Sequence, residues 1–160
     1  MRQVILSNGD ELEVECLSCA VTSGLVQPAG GVIYEDELFH AHQDVAYPIP
    51  GLVILASKRH FYCMDELTEE ESSRYIQLIR RIREVQRNEL KIDHVYYFYN
   101  EDTTHHFHLW MVPRYEWMKH FGQSVESLRP ALRHARTEMN NEDNNNYVIK
   151  SIEKLRKGLL

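Results

Sequence analysis

Thr104-His105-His106-Phe107-His108-Leu109-Trp110-Met111 is the stretch on which the fold of this chain turns. Successive side chains of an extended backbone point to opposite faces, so alternation with a period of two predicts a strand here. Thr104, His106, His108 and Trp110 then share one face, and His105, Phe107, Leu109 and Met111 share the other. The expectation is an apolar row turned to a core, with His106 and His108 facing outward. Neighbouring imidazoles on one face suit attack on phosphorus, one ring as nucleophile and the other as a donor to the charge that develops. Imidazole titrates near neutral pH, so a neutral and a protonated ring can stand side by side. The same spacing also fits a metal pair without a third local ligand, or histidines that decorate a solvated face.

Working outward, His94-Val95-Tyr96-Tyr97-Phe98-Tyr99 predicts a second strand, joined to the histidines by the short polar segment from Asn100. Val32-Ile33-Tyr34 and Leu38 to His42 predict two strands around Glu35-Asp36-Glu37. Leu52 to Ala56 predicts another, bounded by Pro50-Gly51 and Lys58-Arg59. Thr68-Glu69-Glu70-Glu71 matches a capping box, and Tyr75, Leu78, Ile79, Ile82 and Val85 follow at helical spacing, so a long helix should lay one apolar stripe on the sheet. After Pro113-Arg114, Val125, Leu128, Leu132 and Ala135 predict a helix with Pro130 in its first turns, and Val148, Ile152 and Leu155 predict another. The run from Asn140 to Asn146 between them reads as a polar loop. The expected fold class is α+β, an antiparallel sheet packed with a long helix. Residues 1–115 form the domain and residues 116–160 a C-terminal helical extension packed on it.

The chain has 160 residues, 43% apolar and 26% charged, enough for one continuous core of ordinary composition. No apolar run approaches the roughly 18 residues of a membrane span, and the N-terminal segment lacks the apolar centre of a signal peptide. No membrane association and a cytoplasmic location are the resulting expectations. A formal charge of −6 argues against a broad nucleic-acid footprint, while leaving room for a small anionic ligand. Cys16, Cys19 and Cys63 are too few, and odd in number, for a disulfide framework; Cys16 and Cys19 form a C-x-x-C pair.

Taken in order over residues 14–115, these segments resemble the histidine triad (HIT) family of nucleotide hydrolases and transferases, whose hallmark is His-φ-His-φ-His-φ-φ with φ apolar. The match is placed on Thr104-His105-His106-Phe107-His108-Leu109-Trp110, with Thr104 in the first histidine position. Val32 to Glu37, Asp44, Pro50 to Leu55, Lys58-Arg59-His60 and Asp65 to Thr68 align around it. Leu52 stands where the family usually has His after Pro-Gly, and Ser57 where it has Pro before Lys-Arg-His.

The resemblance implies that His106 attacks the α-phosphorus and that His108 contacts the phosphate. It implies that Asp44 holds the ribose hydroxyls and Asn100 contacts the phosphate region. Thr103 or Thr104 would offer it a hydroxyl, and Ile33 and Leu38 would line the base pocket. For Asp44 the alternative is a plain turn residue, and for Ile33 and Leu38 plain core. In some branches a C-x-x-C pair, the Lys-Arg-His histidine and the first triad histidine hold a structural zinc. Here that implies Cys16, Cys19 and His60, with Thr104 a poor fourth ligand. The alternatives are a zinc completed by water or a displaced histidine, or thiols without metal. The implied substrate is a dinucleoside polyphosphate such as diadenosine polyphosphate, or a nucleoside phosphoramidate. The implied assembly is a homodimer, and no catalytic metal is required. A catalytically weakened nucleotide-binding or interaction module of the same fold is the competing expectation, and a zinc-dependent hydrolase a more distant one.

Overall fold

A computed structural model describes residues 1–102 and 106–160. Strands β1 (Arg2–Ile5) and β2 (Glu11–Val14) form an antiparallel hairpin leading into the short helix α1 (Leu17–Thr22). Strands β3 (Val32–Glu35), β4 (Phe39–His42), β5 (Val53–Ser57), β6 (Val95–Phe98) and β7 (His108–Pro113) form the main sheet. Its order is β3-β4-β5-β7-β6, every neighbouring pair antiparallel. Helix α2 (Glu69–Asn88) lies between β5 and β6 in sequence, and α3 (Leu128–Glu138) and α4 (Glu142–Leu159) close the chain.

Alternation along the strands sorts residues onto two faces. Phe39, Ala41, Val53, Leu55, Leu109 and Met111 pack with Leu78 and Ile82 of α2 and with Val148, Ile152 and Leu155 of α4. Each large apolar side chain buried there contributes roughly 1.5–3 kcal/mol of transfer free energy. On the other face, Leu52, Ile54 and Val112 pack with Met118, Leu128, Ala131 and Ala135. A third cluster of Val4, Val14, Ala20, Val21, Val26 and Val45 seats the N-terminal hairpin and α1.

Helix α2 starts as its sequence predicts. Thr68 Oγ1 accepts the Glu71 N–H, and the Glu71 carboxylate accepts the Thr68 N–H. The Pro50-Gly51 turn is tied to two helices: Gln86 donates to the Gly51 carbonyl and the Gly51 N–H donates to Ser151 Oγ, each over 2.9 Å. Gly51 has φ +78°, and a Cβ there would lie 2.7 Å from Ile92 Cδ1, so this turn requires glycine.

Three features depart from expectation. The run from Asn140 to Asn146 is not a loop throughout: α4 begins at Glu142, because Asn141 caps it by accepting the Asn144 N–H and two acids occupy its first turn. Val125 is 64% exposed in a 3-10 turn ahead of α3 rather than part of an apolar helix face. His106 is not on the open face of a strand; β7 begins at His108, and His106 is only 3% exposed. Thr103, Thr104 and His105 lie outside the described residues.

Candidate active site and metal centre

Cys16 caps α1, its sulfur accepting the Cys19 N–H at 3.4 Å, which turns both sulfurs towards the end of the main sheet. His60 follows β5, and His106 precedes β7. The four residues converge: Cys16 Sγ lies 3.3 Å and Cys19 Sγ 3.4 Å from His106 Nδ1, and Cys19 Sγ lies 3.1 Å from His60 Nδ1. The two histidine Nδ1 atoms are 3.2 Å apart, and all four donor atoms lie within 4.8 Å of one another. Donors on a tetrahedral zinc, bonded at about 2.0–2.3 Å, sit roughly 3.3–3.8 Å apart.

The donor chemistry agrees with the spacing. His106 Nε2 lies 2.7 Å from the Ser57 carbonyl oxygen, so the ring proton sits on Nε2 and the lone pair on Nδ1 faces the sulfurs. Burial pushes the His106 imidazole below its ordinary pKa, keeping the ring neutral as a metal ligand requires. Burial and the neighbouring Cys16 raise the Cys19 thiol to about 11, so a cation is what would draw its proton off. Two sulfurs and two imidazole nitrogens are a closed structural zinc set, and these residues fit it. The fourth partner expected at Thr104 is instead His106.

His108 opens β7, where its residue row runs across the sheet as His40, Ala56, His108; the next row is His42, Ile54, Trp110. These side chains share one face, opposite the α2 core. His108 Nδ1 lies 2.9 Å from the His106 carbonyl oxygen, so Nδ1 carries the proton and Nε2 is the lone-pair nitrogen. His40 and His42 are buried beside it, their rings 5.3 Å apart. His42 donates from Nδ1 to the Gln43 carbonyl over 2.7 Å, and burial pulls its pKa down to about 3. Burial also lowers the His40 pKa.

The remaining predicted residues are dispersed. Asp44 follows β4 and closes a turn, its Oδ1 accepting the Ala46 and Tyr47 N–H groups at 2.8 and 2.9 Å. It lines a cavity of about 140 Å³ with Gln43, Asn8 and Asn145. Asn100 follows β6, and its Nδ2 donates to Asp102 over 2.7 Å. Ile33 is buried in the α2-side core, and Leu38 packs against that cluster. Lys58 pairs with Glu35, while Arg59 reaches Glu71 through Nε at 2.9 Å and Nη2 at 2.8 Å, so the Lys-Arg-His segment is locked to the start of α2.

The sequence reading missed His106 as a partner of the cysteines, and it missed His40 and His42. A signal for His106 was present. Counted from His106, every φ position of the hallmark is filled by an apolar residue: Phe107, Leu109, Met111 and Val112. Counted from Thr104, His105 falls on one of them.

No family profile matches the sequence, and no curated protein sequence does. Solved structures do match. A zinc-bound histidine triad family protein from Mycobacterium smegmatis is 24% identical, with 89% of this chain and 96% of that one covered at a TM-score of 0.60. A histidine triad nucleotide-binding protein from Sulfolobus tokodaii is 20% identical, with 88% and 93% covered at a TM-score of 0.61. A HIT family hydrolase from Legionella pneumophila is 20% identical, with 64% and 95% covered at a TM-score of 0.51. The chain has the histidine triad fold. Among the described residues, no helix is long and apolar enough to cross a membrane.

Proposed function

We propose that the protein is a nucleotidyl hydrolase or transferase in which His108 is the nucleophile and His106 is a metal ligand. The observation that carries this is the pair of opposed tautomers. Ser57 O holds the His106 proton on Nε2 and directs Nδ1 to the cysteines, while His106 O holds the His108 proton on Nδ1. The triad is then His106-Phe107-His108-Leu109-Trp110, two residues later than the sequence match placed it. Trp110 takes the last histidine's position, and Thr104 leaves the triad.

In the reaction, the His108 Nε2 lone pair forms a bond to the α-phosphorus as the bond to the leaving-group oxygen breaks, and that oxygen leaves with a proton from solvent. The imidazole gains positive charge, which the His106 carbonyl dipole stabilises through the Nδ1–H. Water then adds to phosphorus, giving up a proton to solvent as the P–N bond breaks and its electron pair returns to Nε2, which restores the neutral ring. Zinc held by Cys16, Cys19, His60 and His106 would tie α1 to the sheet and fix the His106 carbonyl that orients His108. Asp44 is assigned to the ribose hydroxyls and Asn100 to the phosphate region, and the substrate to dinucleoside polyphosphates or nucleoside phosphoramidates. The working assembly is a homodimer with the long helix near the two-fold axis, at a cytoplasmic location.

Hydrolysis of a dinucleoside polyphosphate in ¹⁸O-labelled water should place the label on the released mononucleotide. His108→Asn should lose turnover by at least a thousandfold while still binding that mononucleotide. Unchanged turnover in His108→Asn would remove His108 from its role. Trp110 in the triad favours one second reading, a nucleotide-binding module with weakened catalysis, which predicts binding without labelled product.

A further inference from the structure

A cleft of about 490 Å³ lies away from His106 and His108, between the last turns of α2, the start of β6 and the segment after β7. Arg114 lines it, directly after β7 and six positions beyond His108, so at the strand rise its Cα stands about 20 Å from that of His108. Arg83, Arg87, Arg114 and Lys119 converge on it with His94, and Asp93 is the one carboxylate in its lining. Such a cationic concentration runs against the charge of the chain, which is −6.

Arg83 and Arg114 are held in place, while Arg87 and Lys119 are exposed. Arg83 Nη2 donates to the carbonyls of Ile92 and Asp93 at 3.0 and 2.8 Å, fixing its guanidinium at the base of the cleft. Arg114 donates to Ser127 Oγ at 3.0 Å and to the Gly122 carbonyl at 3.1 Å, with its guanidinium 5.8 Å from the centre of the Tyr96 ring. Lys119 pairs with Glu116 at 2.7 Å on the same 3-10 turn. Among the described residues, no carboxylate lies within ion-pairing distance of Arg83, Arg87 or Arg114. Arg83 Nη1 is buried with no hydrogen-bond partner among them. Because Nη1 is shut off from the cleft, an anion there would meet the accessible parts of these cations instead, and its charge would offset the repulsion among three arginines and a lysine gathered around one carboxylate.

We propose that this cleft binds a small condensed-phosphate anion, either free or as the phosphate tail of a nucleotide, at a site separate from the His108 face. Planar guanidinium groups on fixed stems match phosphate oxygens in pairs, and a volume of this size admits two or three linked phosphates. The site stands independently of the reaction assigned to His108.

The test uses the His108→Ala protein, titrated calorimetrically with inorganic tripolyphosphate and, separately, with adenosine triphosphate. Substituting both exposed cations, Arg87→Glu and Lys119→Glu, in that background should weaken tripolyphosphate binding at least tenfold, with the circular dichroism spectrum unchanged. Equal weakening of both probes by the double substitution would identify the phosphates as the ligand, and a tenfold preference for the nucleotide that the double substitution removes would identify its tail, with the base against Tyr96. Tripolyphosphate binding that survives the double substitution, or no binding at millimolar concentration, would overturn the proposal.

Discussion

The carbonyl oxygen of His106 lies 2.9 Å from Nδ1 of His108. One residue thus serves two sites through two groups: its side chain joins Cys16, Cys19 and His60, and its backbone sets the tautomer of the next histidine. A metal bound to the His106 ring would therefore hold the orientation of His108 as well.

Protein purified without an affinity tag should carry about one zinc per chain, and Cys16→Ser or His106→Ala should reduce that content to a small fraction. A ligand that binds only the folded state stabilises it by about 4 kcal/mol at a thousandfold excess over its Kd. Chelation should accordingly lower Tm by several degrees, and plasma emission analysis beside thermal unfolding checks both. Full stability at zero zinc would contradict the prediction.

Glu71 accepts two bonds from Arg59 and caps α2, and the Arg59 hydrogen bond is the main cause that holds its pKa down at about 2. A depressed carboxylate stabilises the fold above its unfolded pKa, near 4.3, and that contribution drains away as pH falls towards 2. Glu71→Gln should cost roughly 1–3 kcal/mol at pH 7. The gap to the parent protein should narrow below pH 4.5 in urea unfolding.

His42 is buried and donates to the Gln43 carbonyl, so its ring should stay neutral in the folded protein down to about pH 3. Unfolded, it takes up a proton near pH 6.5, so folding loses up to about 1.4 kcal/mol per pH unit below that value from this group. The His42 Cε1 proton resonance should be flat between pH 8 and 4. A midpoint near 6.5 in the folded protein would show that the ring is accessible and charged.

Gly51→Ala forces a side chain onto φ +78° and a Cβ to within 2.7 Å of Ile92 Cδ1. It should destabilise by about 1–3 kcal/mol in denaturant unfolding. An unchanged midpoint would mean that the Pro50-Gly51 turn relaxes freely.

Much of this architecture was legible in the chain. The capping box at Thr68, the stripe from Tyr75 to Val85 and the short apolar runs at Val32, Phe39 and Val53 all carry local periodicity, which sequence preserves. The N-terminal hairpin was not legible, because β1 and β2 are short and its core is completed by Val26 and Val45 from distant parts of the chain. The start of α4 was hidden because asparagines favour turns, yet Asn141 here caps a helix and Asn144 donates to the Pro48 and Met139 carbonyls. His106 was visible as a functional residue, but its partners lie 46 and 90 positions away at His60 and Cys16. Alternation says which side of an ideal strand a residue takes. It cannot say that β7 starts two residues later and that the His106 ring turns inward.

The most direct measurement is localisation of the covalent intermediate. The protein is mixed with a dinucleoside polyphosphate, quenched in alkali within milliseconds, digested and sequenced by mass spectrometry. A nucleotidyl group is expected on His108, and none in His108→Gly. A nucleotidyl group on His106 would contradict it.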